Sequence, residues 1–335
     1  NGAILLLQRS FGLSTAETEF AASSLLMGCV VGAAAGGWLS DRWGRKRILL
    51  VCALLFAVSS VLAALPRSTG EFAAARMMGG LAIGVSSLLA PLYIAEVAPP
   101  ARRGRLVALQ QLTIVTGILL AYFVNWILSF QGQDAWRGMF AAAAIPSVIF
   151  FGALFAVPES PRWLVQRGRA DEALTVLSQI NGGMAARVEL REIERSVAEE
   201  TGTLAELWQP GLRRAFLLAL GLAVLQQWTG INTVLFYGSV LLKDYTGGTS
   251  DTSAIGANVL IGVVNFVATI VAMAGIDRLG RRTLLIGSSA GLGAGLLGMA
   301  WVFRAEAPPA AAVVPLMLGC VAAFALGLGP GVWEI

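Results

Sequence analysis

The sequence predicts an all-α integral membrane protein. Three properties lead there: an apolar composition, a series of long uncharged segments, and basic connections that alternate between them. Of 335 residues, 56% are hydrophobic and 13% are charged, more apolar surface than a water-soluble domain of this length covers. A helix that crosses the hydrocarbon core needs roughly 20 mostly apolar residues. Uncharged runs of about that length lie at 20–40, 48–65, 77–95, 106–133, 138–158, 215–242, 252–276, 283–303 and 307–333, nine candidate spans. Strands of a membrane barrel would be shorter and would alternate polar with apolar residues. The 39 glycines fit helices packed in lipid, where small residues let backbones approach. The lipid bilayer is thus the first partner the sequence implies.

The connections set orientation. Those at 41–47, 96–105, 159–214 and 277–282 hold 18 Lys and Arg, whereas the opposite set holds Arg9, Arg67, Arg137, Lys243 and Arg304. Under the positive-inside rule the richer set is cytoplasmic. This predicts a multi-pass protein of the cell (plasma or inner) membrane with segment 159–214 inside. The net charge of +4 is then a matter of topology, and no nucleic acid is implied. The chain has no histidine, and Cys29, Cys52 and Cys320 lie in separate apolar runs without ligand spacing. They are expected to be packing residues, with no metal site. No nucleotide-binding loop and no nucleophile paired with a base is recognisable, so an enzyme is not expected, nor is a cofactor or an obligate protein partner.

Along the chain, "NGAILLLQ" resembles the end of an incomplete span. A Gly-rich run then leads to "DRWGRKRILL" from Asp41, and "DRLGRRTLLI" from Asp277 repeats this turn 236 residues later. In each, an acid ends one helix, a glycine turns, and arginines open the next helix beside carbonyls and carboxylates. Two such turns at matching positions imply two parallel halves, as in secondary transporters. The expected division is 1–158 for the first bundle, 159–214 for a linker with short amphipathic helices, and 215–335 for the second bundle. The same offset predicts that most of a first span precedes Asn1 and that about 59 residues follow Ile335, a fragment of a twelve-span protein.

Within spans, charge and carboxamides stand out. Arg76 sits one turn into a helix, and at the bilayer centre a charge costs roughly 2.5–3.5 kcal/mol. It is expected to face a cavity or a carboxylate; the alternative is that it snorkels to the outer interface near Arg67 and Glu71. "EVAPPARRG" from Glu96 adds a carboxylate at one span end and arginines at the next. Such charges can form ion-pair networks that join two halves on one side and gate them. "LQQWTGIN" places Gln226, Gln227 and Asn232 in an uncharged run. Their residue types suit either interhelical hydrogen bonds or a polar, uncharged solute. In an unbroken helix Gln227 and Asn232 would point about 140° apart, so Gly230 is expected to break it.

"DRWGRK", "PLYIAEVAPPARRGRL", "PESPRWLVQRGRADEAL", "LQQWTGINTVLFY" and "DRLGRRTLL", in this order, resemble the sugar porters of the major facilitator superfamily. The resemblance implies two six-helix bundles, a glucose- or xylose-like monosaccharide as substrate, and transport by alternating access with a proton as coupling ion. Facilitated-diffusion uniport and a non-transporting sugar sensor are the alternatives on the same scaffold. The family's sugar contacts match Gln111, Gln226, Gln227, Asn232, Asn265 and Trp333, and its outer gate matches Phe236 and Tyr237. Ile118 stands where a second glutamine occurs in xylose symporters, which favours a glucose-like site. Arg76 matches an arginine that partners a first-span aspartate in the proton-coupled members. Asp41, Arg45, Glu96, Arg103, Glu159, Arg162, Asp277, Arg278 and Arg281 match the cytoplasmic charge network. One departure is the contiguous "WEI" at Trp333, where the family has intervening residues. Carboxamides can replace a sugar's hydration without the larger desolvation cost of carboxylates.

Overall fold

The computed structural model describes residues 2–99, 103–132, 134–199, 208–209, 211–232, 251–305 and 309–329. Among them every regular element is helical. The helices are α1 (Gly2–Phe11), α2 (Thr15–Trp43), α3 (Arg45–Ala64), α4 (Thr69–Val97), α5 (Arg103–Ser129), α6 (Ala135–Ala142) and α7 (Ala144–Phe155). After them come α8 (Pro161–Gln166), α9 (Ala170–Asn181), α10 (Gly183–Glu199), α11 (Leu212–Trp228), α12 (Asp251–Leu279), α13 (Arg281–Val302) and α14 (Ala310–Ala323). A π-helical segment, Phe324–Leu328, continues α14.

Eight stretches are long and apolar enough to cross a bilayer: Ala16–Trp43, Arg45–Ala64, Thr69–Val97, Leu109–Ser129, Ala135–Phe155, Ile255–Gly275, Arg282–Val302 and Ala310–Leu328. The expected span at 215–242 is described only as far as Asn232, with α11 at its start. Large apolar side chains remain uncovered along these helices; Val30 is 70%, Ile149 67% and Leu297 74% exposed. Without water in the hydrocarbon core the backbone must satisfy itself, and helices do so within one segment.

Helix ends follow from local chemistry. Ser14 caps α2: the Glu17 amide donates to Ser14 Oγ at 3.3 Å, and Ser14 N donates to Glu17 Oε2 at 2.9 Å. These reciprocal bonds form a capping box. Ser68 caps α4 through the Glu71 amide at 3.2 Å, while Arg67 N donates to Glu71 Oε2 at 2.7 Å. The single-residue interruption at Ala143 between α6 and α7 lies three residues before Pro146, whose ring nitrogen cannot bond the carbonyl four residues back. The linker forms α8, α9 and α10. At the start of α9, Arg169 Nε and Nη2 each reach Glu172 at 2.6 Å. That side-chain hydrogen bond holds the Glu172 carboxyl below and the Arg169 guanidinium above their usual ranges. Both side chains are solvated, so the pair adds little stability.

The contacts group the chain into two compact units: Leu7–Val107 with Trp136–Thr203, and Asn1–Leu6 with Ala108–Ala135 and Leu204–Ile335. In the first, α2 lies along α4, and α3 packs on α4 and α7. Its core contains Ile48, Leu49, Cys52, Ala53, Ala82, Val85, Leu89 and Leu154. Small residues set the α2–α4 distance. A Cβ on Gly80 would lie 2.0 Å from Leu25 O, and one on Gly84 2.1 Å from Cys29 O. On the facing helix, Gly28 and Gly32 meet Met77 O and Leu81 O at 2.1 and 2.3 Å in the same sense. Gly80→Ala must push the helices apart and is expected to cost about 1–3 kcal/mol. A melting curve of the purified protein checks this against Gly37→Ala, a control position with open space within 4 Å, where the melting temperature should hold.

The second unit packs α12, α13, α14 and the π segment around Ile231, Ile261, Met317 and Val321. Helix α5 joins it through Trp126, Leu119 and Tyr122, which lie against Gly256 and Gly262 of α12.

Candidate functional site

The carboxamides expected to bind solute gather in the second unit. Helix α11 ends where Thr229 Oγ1 donates to Gln226 O at 2.6 Å. Gly230 follows with φ +73, a left-handed conformation that glycine adopts without the Cβ penalty. The expected break is there, and it changes what the side chains meet. Asn232 Nδ2 donates to Gln227 Oε1 at 2.7 Å, and both residues are exposed. Gln226, one residue earlier, is only 5% exposed, and its Nε2 donates to Leu328 O at 2.7 Å. Leu328 closes the π-helical segment, a helix type found mostly as single turns and frequently at functional sites. The next residue, Gly329, approaches Gln111: a Cβ there would be 3.8 Å from Gln111 Nε2.

Asn265 is buried on α12, and its carbonyl accepts from Thr269 Oγ1 at 2.8 Å. Two turns earlier on the same face stands Asn258, also buried, whose Oδ1 has no hydrogen-bond partner among the described residues. Sequence reasoning passed over Asn258, although its seven-residue spacing from Asn265 was a usable signal. Trp333, Phe236 and Tyr237 lie outside the described residues.

The charge cluster gathers in the first unit, where α2 turns into α3. Arg45 forks onto Glu96, with Nε to Oε2 at 3.0 Å and Nη2 to Oε1 at 3.1 Å. These two side chains are 4% and 6% exposed. Arg45 Nη1 also reaches Asp41 Oδ1 at 3.1 Å. Ser160 Oγ donates to Glu96 Oε2 at 2.5 Å and caps α8 through the Trp163 amide at 3.3 Å. Glu159 Oε1 accepts the amides of Lys46 and Ser160, each at 3.0 Å. Gly44 makes room for that carboxylate: its φ is +98, and a Cβ would fall 2.5 Å from Glu159 Oε2.

Tyr93 OH donates to Pro158 O at 2.7 Å, and Trp163 Nε1 to Asp41 O at 3.0 Å. Each of these bonds joins elements of one compact unit, fastening α8 to the ends of α2, α3 and α4. Arg162 is half-buried on α8. Arg103 opens α5, Asp277 and Arg278 lie in the last turn of α12, and Arg281 opens α13. The side chains of these four lie outside the described part of the structure.

Arg76 sits on the interior side of α4. Its guanidinium carbon stands 5.6 Å over the Phe140 ring, and its buried Nε has no hydrogen-bond partner among the described residues. Phe140 is braced edge-on by Phe72 at 5.2 Å and by Trp136 at 6.5 Å. At the outer end of α4, Glu71 Oε2 accepts the Arg67 amide at 2.7 Å.

The family model for "Sugar (and other) transporter" matches residues 4–335. The arabinose-proton symporter of Bacillus subtilis (strain 168) is 39% identical over 99% of this chain and 73% of its own length. The D-xylose-proton symporter of Escherichia coli (strain K12) is 36% identical over 94% of this chain and 68% of its own length. The solved xylose transporter XylE from E. coli, in a partially occluded inward open conformation, superposes with a TM-score of 0.85 at 32% identity, covering 99% of this chain and 81% of that one. The same transporter bound to 6-bromo-6-deoxy-D-glucose gives 0.84 at 33% identity, over 99% and 76%.

Proposed function

The chain belongs to the sugar (and other) transporter family, and on that premise we propose that it carries a monosaccharide across the membrane together with a proton, by alternating access. The observation that carries this reading is the exposed Gln227–Asn232 carboxamide pair. It is uncharged, offers both donors and acceptors to hydroxyl groups, and is held by a helix break at Gly230. Pentoses and hexoses are the substrate class, since relatives are named for arabinose and xylose and a solved relative holds a glucose derivative. Gln111 and Asn265 extend the sugar site, with Trp333 and the outer-gate residues Phe236 and Tyr237 completing it. Segments 1–158 and 215–335 serve as the two transmembrane halves, and 159–214 as a cytoplasmic linker in the cell membrane. No chemical step and no cofactor is required.

The test is uptake of labelled arabinose, xylose and glucose into proteoliposomes, with and without an inward proton gradient. Gradient-dependent accumulation of at least one sugar is the expected result. Binding without uptake would leave only a sensor, and uptake indifferent to the gradient would leave a uniporter.

Arg76 is the coupling residue in this reading. A guanidinium in a span, resting on an aromatic face, is costly to keep and is kept for a charge that comes and goes. Arg76→Gln is therefore expected to abolish accumulation against a gradient while gradient-free counterflow persists. Accumulation equal to that of the unmodified protein would remove Arg76 from the coupling path.

A further inference from the structure

We propose that the cleft at the end of α2 binds the phosphate-bearing headgroup of an anionic phospholipid from the cytoplasmic leaflet. The cleft has a volume of about 530 Å³ and is lined by Trp38, Asp41, Arg42, Trp43 and Arg167. Trp38 and Trp43 are 62% and 48% exposed and meet edge-on at 6.3 Å. Tryptophans left uncovered at the end of a span belong to the membrane–water interface, where the ring sits among headgroups.

The two arginines are held in place without being neutralised by a carboxylate in the described contacts. Arg42 stacks 5.6 Å over Trp38. Arg167 stacks 5.6 Å over Trp163, and its Nη2 donates to Asp41 O at 2.8 Å and Arg42 O at 2.6 Å. The single acid in the lining, Asp41, already shares its Oδ1 with Arg45 at 3.1 Å. Two planar guanidiniums against one partly satisfied carboxylate leave the cleft cationic, with the fork geometry that suits phosphate oxygens. The indole walls at the end of an apolar run select a ligand that is anchored in lipid over a freely dissolved anion. A headgroup bridging Arg42 and Arg167 would also tighten the attachment of α8 to the last turn of α2.

The leaflet rests on the cytoplasmic orientation proposed above. The binding test uses detergent, where sidedness has no effect, so failure of one leaves the other standing. Purified protein is titrated with phosphatidylglycerol or phosphatidylcholine and its melting temperature followed. Phosphatidylglycerol is expected to raise it and phosphatidylcholine to leave it in place. Arg42→Gln is expected to move the titration midpoint by about five-fold, the worth of one cation near an anionic surface. Arg195→Gln, the same charge change on exposed α10, should leave the midpoint alone. Asp41→Asn removes the opposing charge and should tighten binding, a gain of function that a folding defect does not mimic. The proposal is overturned if the two lipids act alike, if Arg195→Gln matches Arg42→Gln, if Asp41→Asn weakens binding, or if inorganic phosphate alone reproduces the shift.

Discussion

Arg45→Ala is expected to destabilise the protein by about 3–5 kcal/mol, the usual result of deleting one member of a buried ion pair. The size follows from what is left behind. Glu96, 6% exposed at its side chain, would keep its charge with Ser160 Oγ as its remaining described side-chain donor, away from solvent that could compensate it. Asp41, at 67% exposure, is hydrated in any case and loses little. Replacing both partners, Arg45→Met with Glu96→Leu, removes the stranded charge and should recover most of the loss, because apolar pairs of similar volume often match buried ion pairs. Thermal melting of the purified single and double variants measures the difference. Additive losses in the double variant, or a single variant that melts with the parent protein, would show that Arg45 and Glu96 are not coupled as described.

The long spans were legible because lipid imposes one demand on every residue of a run, and an uncharged segment such as 20–40 or 252–276 has few other uses. The turn at Gly44 was legible too, although only as a turn. That Glu159 seats against this glycine and accepts the Lys46 amide depends on a contact across 113 residues, which no local pattern carries. The interruption at Ala143 shows a middle case: Pro146 is visible in the sequence, but a span may absorb a proline with or without a break, as α4 runs through Pro91. The bonds described for Asp41, Arg45, Glu96 and Glu159 lie within one unit, because the motifs that supply them come from segments that fold together around α2, α3, α4 and α8. The other members expected of the charge network, Arg103, Asp277, Arg278 and Arg281, have side chains outside the described residues.

Asn258 illustrates a different limit. An asparagine in an apolar run signals a constraint, and its burial on the face it shares with Asn265 emerges only when α12 is packed.

Gln227→Ala is expected to cost about 2 kcal/mol of sugar binding, a roughly 30-fold rise in the half-saturating concentration, with membrane insertion and melting little changed. The neighbouring Gln226→Ala should behave in the opposite way. Consecutive residues on a helix point about 100° apart, and here that angle separates an exposed amide from one that bonds Leu328 O inside the packing. Losing the buried Gln226 bond leaves a carbonyl without that donor, so stability should fall, by about 0.6 kcal/mol on the average for interhelical bonds in membranes and more if water cannot enter. Gly230→Ala separates position from chemistry. Nothing lies within 4 Å of the added Cβ, so the substitution acts through its φ of +73, where a side chain costs roughly 1–2 kcal/mol. Relaxing that strain would draw Asn232 away from Gln227, and uptake should weaken although both amides remain. Uptake kinetics in proteoliposomes beside melting curves decide all three. If Gln226→Ala and Gln227→Ala lose affinity and stability in equal proportion, the two glutamines share one role, and the helix break is packing with no part in recognition.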